Sequence, residues 1–243
     1  MVIVGAVVTA LALAGVAATD QRLFEVIGVV VAGLVVAAGW PRLVGSPTPG
    51  GSSVVLAVTA VVLGAALFAQ GSEPFLEQAP AAIAAGVIAM CLHPLVQESA
   101  RVDLAKSLVG TALGVMIIAC GGALTSTISY GSGSPIVVAG VSLAVAALVD
   151  LVTERPRSAA WMVPAAMVVG GVTGLLAQWL IGGELAPWAA LVGVLCAGTA
   201  GCLRRATSQQ PTIESPSAAV SAGVASVLVV GPLLHLVSRL PIS

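Results

Sequence analysis

The chain has 243 residues, of which 58% are hydrophobic and 8% charged, with a formal net charge of -1 and a mean hydropathy of +1.11. An ordinary soluble domain carries roughly 25% charged residues, so this chain has too few polar side chains to cover a globule in water. The near-neutral charge offers no basic field for nucleic acid, which excludes that class of partner.

Lipid is therefore the expected solvent, and the expected fold class is all-α: a polytopic transmembrane helical bundle forming one integral membrane domain over residues 1–243. Asparagine is absent, Lys106 is the only lysine and Tyr130 the only tyrosine. The bias toward Ala, Val and Gly suggests a GC-rich bacterial genome, hence a bacterial inner (plasma) membrane.

Residues 1–19 form an apolar run about long enough to cross the bilayer core. Its Ala-Gly-Val-Ala-Ala ending resembles a signal-peptide cleavage region, but no Lys or Arg precedes it and further spans follow, so it reads as a retained first helix. A polar turn with Asp20, Arg22 and Glu25 leads to a second span at 26–40. Pro41 to Ser53 is rich in turn formers and is expected to end that helix. A third span covers 54–70, and Pro80 suits the first turn of a fourth, ending near Val96 beside Pro94.

The stretch from Met90 to Lys106 is the most charged interruption in the middle of the chain. It reads as a turn dividing two halves of similar texture, 1–96 and 107–203. A fifth span at 107–124 is followed by a polar, uncharged segment at 125–134. The sixth starts at Pro135 and ends near Asp150, and the seventh covers 160–181 with Pro164 near one end. A tight reversal from Gly182 to Pro187 precedes the eighth, which ends near Leu203. The last span, 218–237, is interrupted by Pro232. The total is about nine spans.

Arg42, Arg101, Lys106, Arg155, Arg157, Arg204 and Arg205 all fall in alternate connections, and only Arg22 and Arg239 fall in the others. Positive loops stay in the cytoplasm, which predicts a cytoplasmic N-terminus and an external C-terminus. The spacing Glu77, Pro80, Gly86 recurs as Glu184, Pro187, Gly193, consistent with a 4+4+1 parallel duplication, and internal repeats are frequent in transporters.

Intramembrane ionisable groups are functional candidates because hydrocarbon penalises them, and the centres of these apolar runs hold none. His93 comes closest. It lies roughly 20 Å into its span at the usual helical rise, either a proton carrier or ligand contact or a side chain packed at the helix end. Asp150 and Glu154, four apart at the end of the sixth helix, oppose both the helix dipole and each other. Compensation is expected from Arg155, Arg157, Arg101 or Lys106. The sharper reading of these charges makes Glu98, Arg101, Asp103, Asp150, Glu154 and Arg157, with His93 and Gln178, candidate substrate- or partner-binding residues.

Gly110 and Gly114, and Gly170 and Gly174, have the spacing that lets membrane helices approach closely. Trp40, Trp161, Trp179 and Trp188 lie where an interfacial aromatic belt belongs. The four cysteines, Cys91, Cys120, Cys196 and Cys202, form no CxxC pair. Two histidines are too few for a His/Cys metal site. No metal or cofactor is expected, and the cysteines read as small buried hydrophobes.

Enzyme motifs are missing: there is no G-x-S-x-G elbow, H-E-x-x-H pair or P-loop, and the serines between Tyr130 and Ser134 have only His235 as a base on their side. The sequence points to a non-enzymatic scaffold or accessory subunit of a cell-envelope complex, with the bilayer, other membrane proteins or a second copy as partners. The alternative is a transporter or flippase for a neutral or lipidic substrate. A transporter predicts a polar mid-membrane cavity bordered by Ser107, Thr111, Thr173 or Gln178. A scaffold predicts a solid bundle with an exposed groove.

Overall fold

The computed structural model describes residues 1–19, 21–70, 76–96, 103–130, 134–153 and 161–239. Helix dominates these residues and no strand occurs among them, as apolar runs broken by turn formers require. The helices are α1 (Val2–Ala17), α2 (Arg22–Leu43), α3 (Pro49–Ala69), α4 (Ala79–Val96), α5 (Leu104–Tyr130), α6 (Ser134–Thr153), α7 (Met162–Gly182), α8 (Pro187–Ser208), α9 (Pro216–Leu228) and α10 (Gly231–Ser238). By length and composition, six segments are able to cross a membrane: α2, α3, α5, α7, α8 and the α9–α10 stretch. Shorter apolar helices are Val2–Ala17, Ala79–Leu95 and Ser134–Asp150.

Contacts near the helix termini sort them into two ends. At the first end, Asp150 bonds Arg204, Arg42 bonds Ser217, and Gly51 lies against His93. At the second end, Arg22 donates from Nη2 to the carbonyl of Leu67 at 2.7 Å, Gln70 reaches Glu77, and Ser126 bonds His235. The Arg22 bond satisfies one of the orphan carbonyls in the last turn of α3.

The helices form two groups around a central one. In the first group α2, α3, α4 and α5 make a closed ring, each packed on the next and α5 on α2. In the second, α6, α7 and α8 make a triangle and α1 attaches to α6. Between the groups stands α9, packed on α1, α2, α5 and α8, and α10 continues it against α5, α6 and α8. From Ala218 to Leu228 every residue of α9 except Val220 is buried.

Small side chains make this centre feasible. A Cβ on Gly5 of α1 would lie 2.9 Å from the carbonyl oxygen of Val220, and one on Gly39 of α2 would strike the carbonyl of Ser217. On the outer side of the second group, Gly170 and Gly174 of α7 face Ala197 and Ala189 of α8 at similar closeness. With lipid as apolar as the side chains themselves, such close van der Waals packing is what holds helices together.

Four expectations from sequence are corrected here. Helix α2 continues through Pro41 to Leu43, so close to the C-terminus that little helix lies beyond the disruption the ring causes. Helix α5 continues to Tyr130, and the segment from Thr125 is not a loop. Its hydroxyls turn inward on their own helix, with Thr125 Oγ1 donating to Gly122 O at 2.9 Å and Ser126 Oγ to Ala123 O at 2.7 Å. Trp40 is buried and belongs to no belt, whereas Trp161 and Trp179 are exposed. Cys91 and Cys202 face outward, and of the four cysteines only Cys196 is fully buried.

Candidate functional site

The strongest concentration of unusual chemistry lies at the first end, where α6, α7 and α8 meet α1. Asp150, near the end of α6, accepts a hydrogen bond from Arg204 Nε of α8 at 2.7 Å, and both side chains are about 95% buried. Of the partners expected for Asp150, Arg101, Arg155 and Arg157 lie outside the described residues. Arg204 is 54 residues distant in sequence and reaches Asp150 because α6 and α8 pack directly against each other. Asp150 needs this charge, since a carboxylate at a helix C-terminus is opposed by the dipole.

The bond uses only one edge of the guanidinium. Nη1 and Nη2 of Arg204 are buried and have no hydrogen-bond partner. An unsatisfied buried donor costs about 1–3 kcal/mol, and more when charged, so two on one side chain constitute a standing demand for an acceptor. Beside them is a cavity of about 380 Å³, lined by Arg204, Asp150 and Ser208 together with Met1, Val4, Val8, Leu148 and Met162. Met1, Val4, Val8 and Leu148 are largely exposed, so the cavity is open toward the lateral face of the bundle. It lies where α1 packs along α6 without a comparable seam against α8.

A second concavity, about 450 Å³, runs along the opposite flank of α1. It is bordered by Val4, Ala12 and Val16 of α1, Gly28 and Val31 of α2, and Val224 of α9. The ridge formed by Val4 and Val8 separates the two.

Of the other residues singled out in the sequence, Glu98, Arg101, Glu154 and Arg157 lie outside the described residues. His93 is half-buried at the end of α4, packed on Gly51 of α3 with its Nε2 unpartnered. Asp103 is exposed just before α5. Gln178 sits at the second end of α7 with its Oε1 buried and unpartnered. The structure thus brings Asp150 into a site and leaves His93, Asp103 and Gln178 apart from it.

The polar residues expected to border a central cavity line neither of the two cavities described above. Thr111 donates to Ser107 O at 2.8 Å and Thr173 to Val169 O at 2.8 Å, so both hydroxyls are spent on their own helices. Neither cavity described above includes Ser107, Thr111, Thr173 or Gln178.

One further buried group lies outside the candidates singled out in the sequence. Glu25, expected in an external turn, lies inside the first turn of α2 and is 1% exposed, with neither carboxylate oxygen partnered. Its position at the edge of an apolar run disguised it, because a one-turn shift in the helix start carries it from loop to interior. Among the described residues no group of three or more His, Cys, Asp or Glu could hold a metal ion. No family model, curated protein or solved structure matches this chain.

Proposed function

We propose that the chain is an integral protein of a bacterial inner membrane, crossing it about nine times, that works without enzymatic chemistry as a scaffold or accessory subunit of a cell-envelope complex. The end bearing Arg42, Lys106, Arg204 and Arg205 faces the cytoplasm in this reading, because basic residues are retained on that side. The three shorter helices serve as crossings alongside the six longer ones in this reading, since a bilayer thins locally around a shorter apolar stretch at modest cost.

The observation that carries the reading is the lateral placement of the concavities. The groove between α1, α2 and α9 is bordered by small and branched apolar residues, Gly28, Ala12, Val16, Val31 and Val224, and has no charged lining residue. From Val4 to Val16 it extends along α1 for about 18 Å, over half the hydrocarbon thickness. Small residues let a second apolar helix approach closely, and a transmembrane segment of a partner protein is the occupant proposed.

Mild-detergent purification from native membranes followed by mass spectrometry tests this. A stoichiometric membrane partner is expected, and it should be lost on Ala12→Trp, which fills the groove from an exposed position while sparing the core. A chain that purifies alone from native membrane, with or without that change, overturns the reading.

A second reading, a transporter or flippase for a neutral or lipidic substrate, is favoured by two observations. Glu25 is a buried carboxyl without a hydrogen-bond partner, and the final segment breaks into α9 and α10 near its middle, as transporter helices do at binding sites. A parallel duplication also fits. The first helix of each half packs on the second helix of the other, α1 on α6 and α5 on α2, and Gly86 and Gly193 each touch the preceding helix, at Thr59 and Gly170. Lipid scrambling in proteoliposomes that is lost in Glu25→Gln and His93→Ala would favour this second reading.

A further inference from the structure

We infer that the cavity beside Arg204 is a binding site for an oxyanion carried on an amphipathic molecule, an anionic phospholipid headgroup of the adjacent leaflet being the occupant that fits best. This rests on the chain being membrane-embedded and does not depend on the identity of its protein partners.

Three features of the site point to that ligand class. The first is the donor set. Asp150 takes the Nε edge of the guanidinium and holds the side chain in one orientation, leaving Nη1 and Nη2 without acceptors although the residue is only 4% exposed. A planar pair of N–H donors matches the oxygens of a phosphate or carboxylate, and a positioned arginine is the side chain best suited to them. Asp150 is thus a positioning residue, and the ligand would satisfy what Asp150 leaves open.

The second is the cavity wall. Apart from Arg204, Asp150 and Ser208 the lining is apolar, from Val2, Ile3, Val4, Val7, Val8, Leu148 and Met162. A soluble anion would gain nothing from such a wall, whereas the glycerol backbone and first methylenes of a lipid would. The third is depth and access. Arg204 lies near the end of α8, level with the start of α7 and the end of α6, where headgroups rather than acyl tails reside, and the exposed Val4, Val8 and Leu148 open the cavity sideways. The volume of about 380 Å³ lies at the lower end of the range of small-molecule sites and would hold a headgroup and glycerol.

The test uses the full chain, purified in detergent, stripped of lipid and followed by native mass spectrometry and thermal unfolding. The probes are phosphatidylglycerol, diacylglycerol with the same chains, and inorganic phosphate. Phosphatidylglycerol should bind at least about tenfold more tightly than diacylglycerol, the margin expected of charge-assisted hydrogen bonds. That margin should vanish in Leu148→Trp, which fills the cavity mouth from an exposed position and leaves the ion pair intact. It should also vanish in the neutral pair Arg204→Gln with Asp150→Asn, which keeps the internal hydrogen bond. Stabilisation by inorganic phosphate alone, sensitive to the same changes, would support the oxyanion site and assign it to a soluble ligand. Equal binding of the two lipids, or a preference untouched by either variant, overturns the inference. A chain that purifies without a protein partner, with this preference intact, would count against the association reading only.

Discussion

The indole N–H of Trp40 donates to the backbone carbonyl of Gly110 at 3.0 Å, fastening α2 to α5 in the interior of the bundle. Gly114, one turn further along, makes the space: a Cβ there would lie 3.0 Å from Trp40 Cδ1 and 2.8 Å from the Leu56 side chain. Trp40→Phe removes the bond and keeps most of the volume, and interhelical hydrogen bonds in membranes are worth about 0.6 kcal/mol and at most roughly 1.7. Gly114→Leu forces the seat open and should cost more, about 1–3 kcal/mol. Thermal unfolding in detergent ranks the two. If Gly114→Leu proves as stable as the parent, α2 and α5 are not seated in this way.

The Asp150 and Arg204 pair makes an unequal prediction for its members taken singly and together. Arg204→Gln takes the guanidinium from a buried carboxylate and should cost about 3–5 kcal/mol, the usual effect of breaking a buried pair from one side. Combining it with Asp150→Asn removes both charges and should recover most of that loss. A double-mutant cycle reads the coupling, and simple additivity would mean that the two residues do not interact in the folded protein.

Glycines separate into two classes that the sequence alone does not distinguish. A Cβ on Gly193 would collide with the carbonyl of Gly170 across the α7–α8 contact, whereas one on Gly15 of α1 meets nothing within 4 Å. Gly193→Ala should therefore destabilise by about 1–3 kcal/mol. Gly15→Ala should be neutral or stabilising by up to about 1 kcal/mol, the helix-propensity difference. Equal effects in an unfolding assay would place the α7–α8 seam elsewhere.

The contrast among these residues shows what was legible in the sequence. Apolar run lengths located the helices, and the Gly170 and Gly174 spacing located a real helix seam, because both depend on local pattern. The pairing of Asp150 with Arg204 was not legible, since Arg204 lies 54 residues away and only the α6–α8 contact brings it near. Glu25 and Trp40 were placed at the membrane edge because hydropathy fixes where a run ends only to within a turn. The hydroxyls of Thr125 and Ser126 read as loop because their polarity is visible in sequence and their backbone partners are not. The central position of α9 was hidden for a related reason: a helix buried on every side and one facing lipid are equally apolar.

Glu25 gives a prediction of unusual sign for a buried charged residue. With neither oxygen partnered, the carboxyl contributes no hydrogen bond that an amide would lose. Glu25→Gln should leave stability unchanged or raise it by up to about 1 kcal/mol, because the amide carries no charge that burial must suppress. A clear drop in unfolding temperature would reveal an acceptor role for Glu25 that these contacts do not contain.

Orientation is the last matter open to direct measurement, and the arginines set the expectation. Lys106 sits against Gly45 at the first end, where Arg42 and Arg204 also lie, while the Gly183 turn, with φ of +72°, is at the second. Basic side chains are held on the cytoplasmic side because moving them across the membrane is opposed during insertion. Single cysteines at Ser46 and Glu184, in a chain whose native cysteines are replaced by Ala, distinguish the ends. In intact cells a membrane-impermeant maleimide should label Glu184→Cys readily and Ser46→Cys only after lysis. The reverse pattern would invert the topology, and with it the leaflet that supplies the ligand for Arg204, while leaving every helix contact in place.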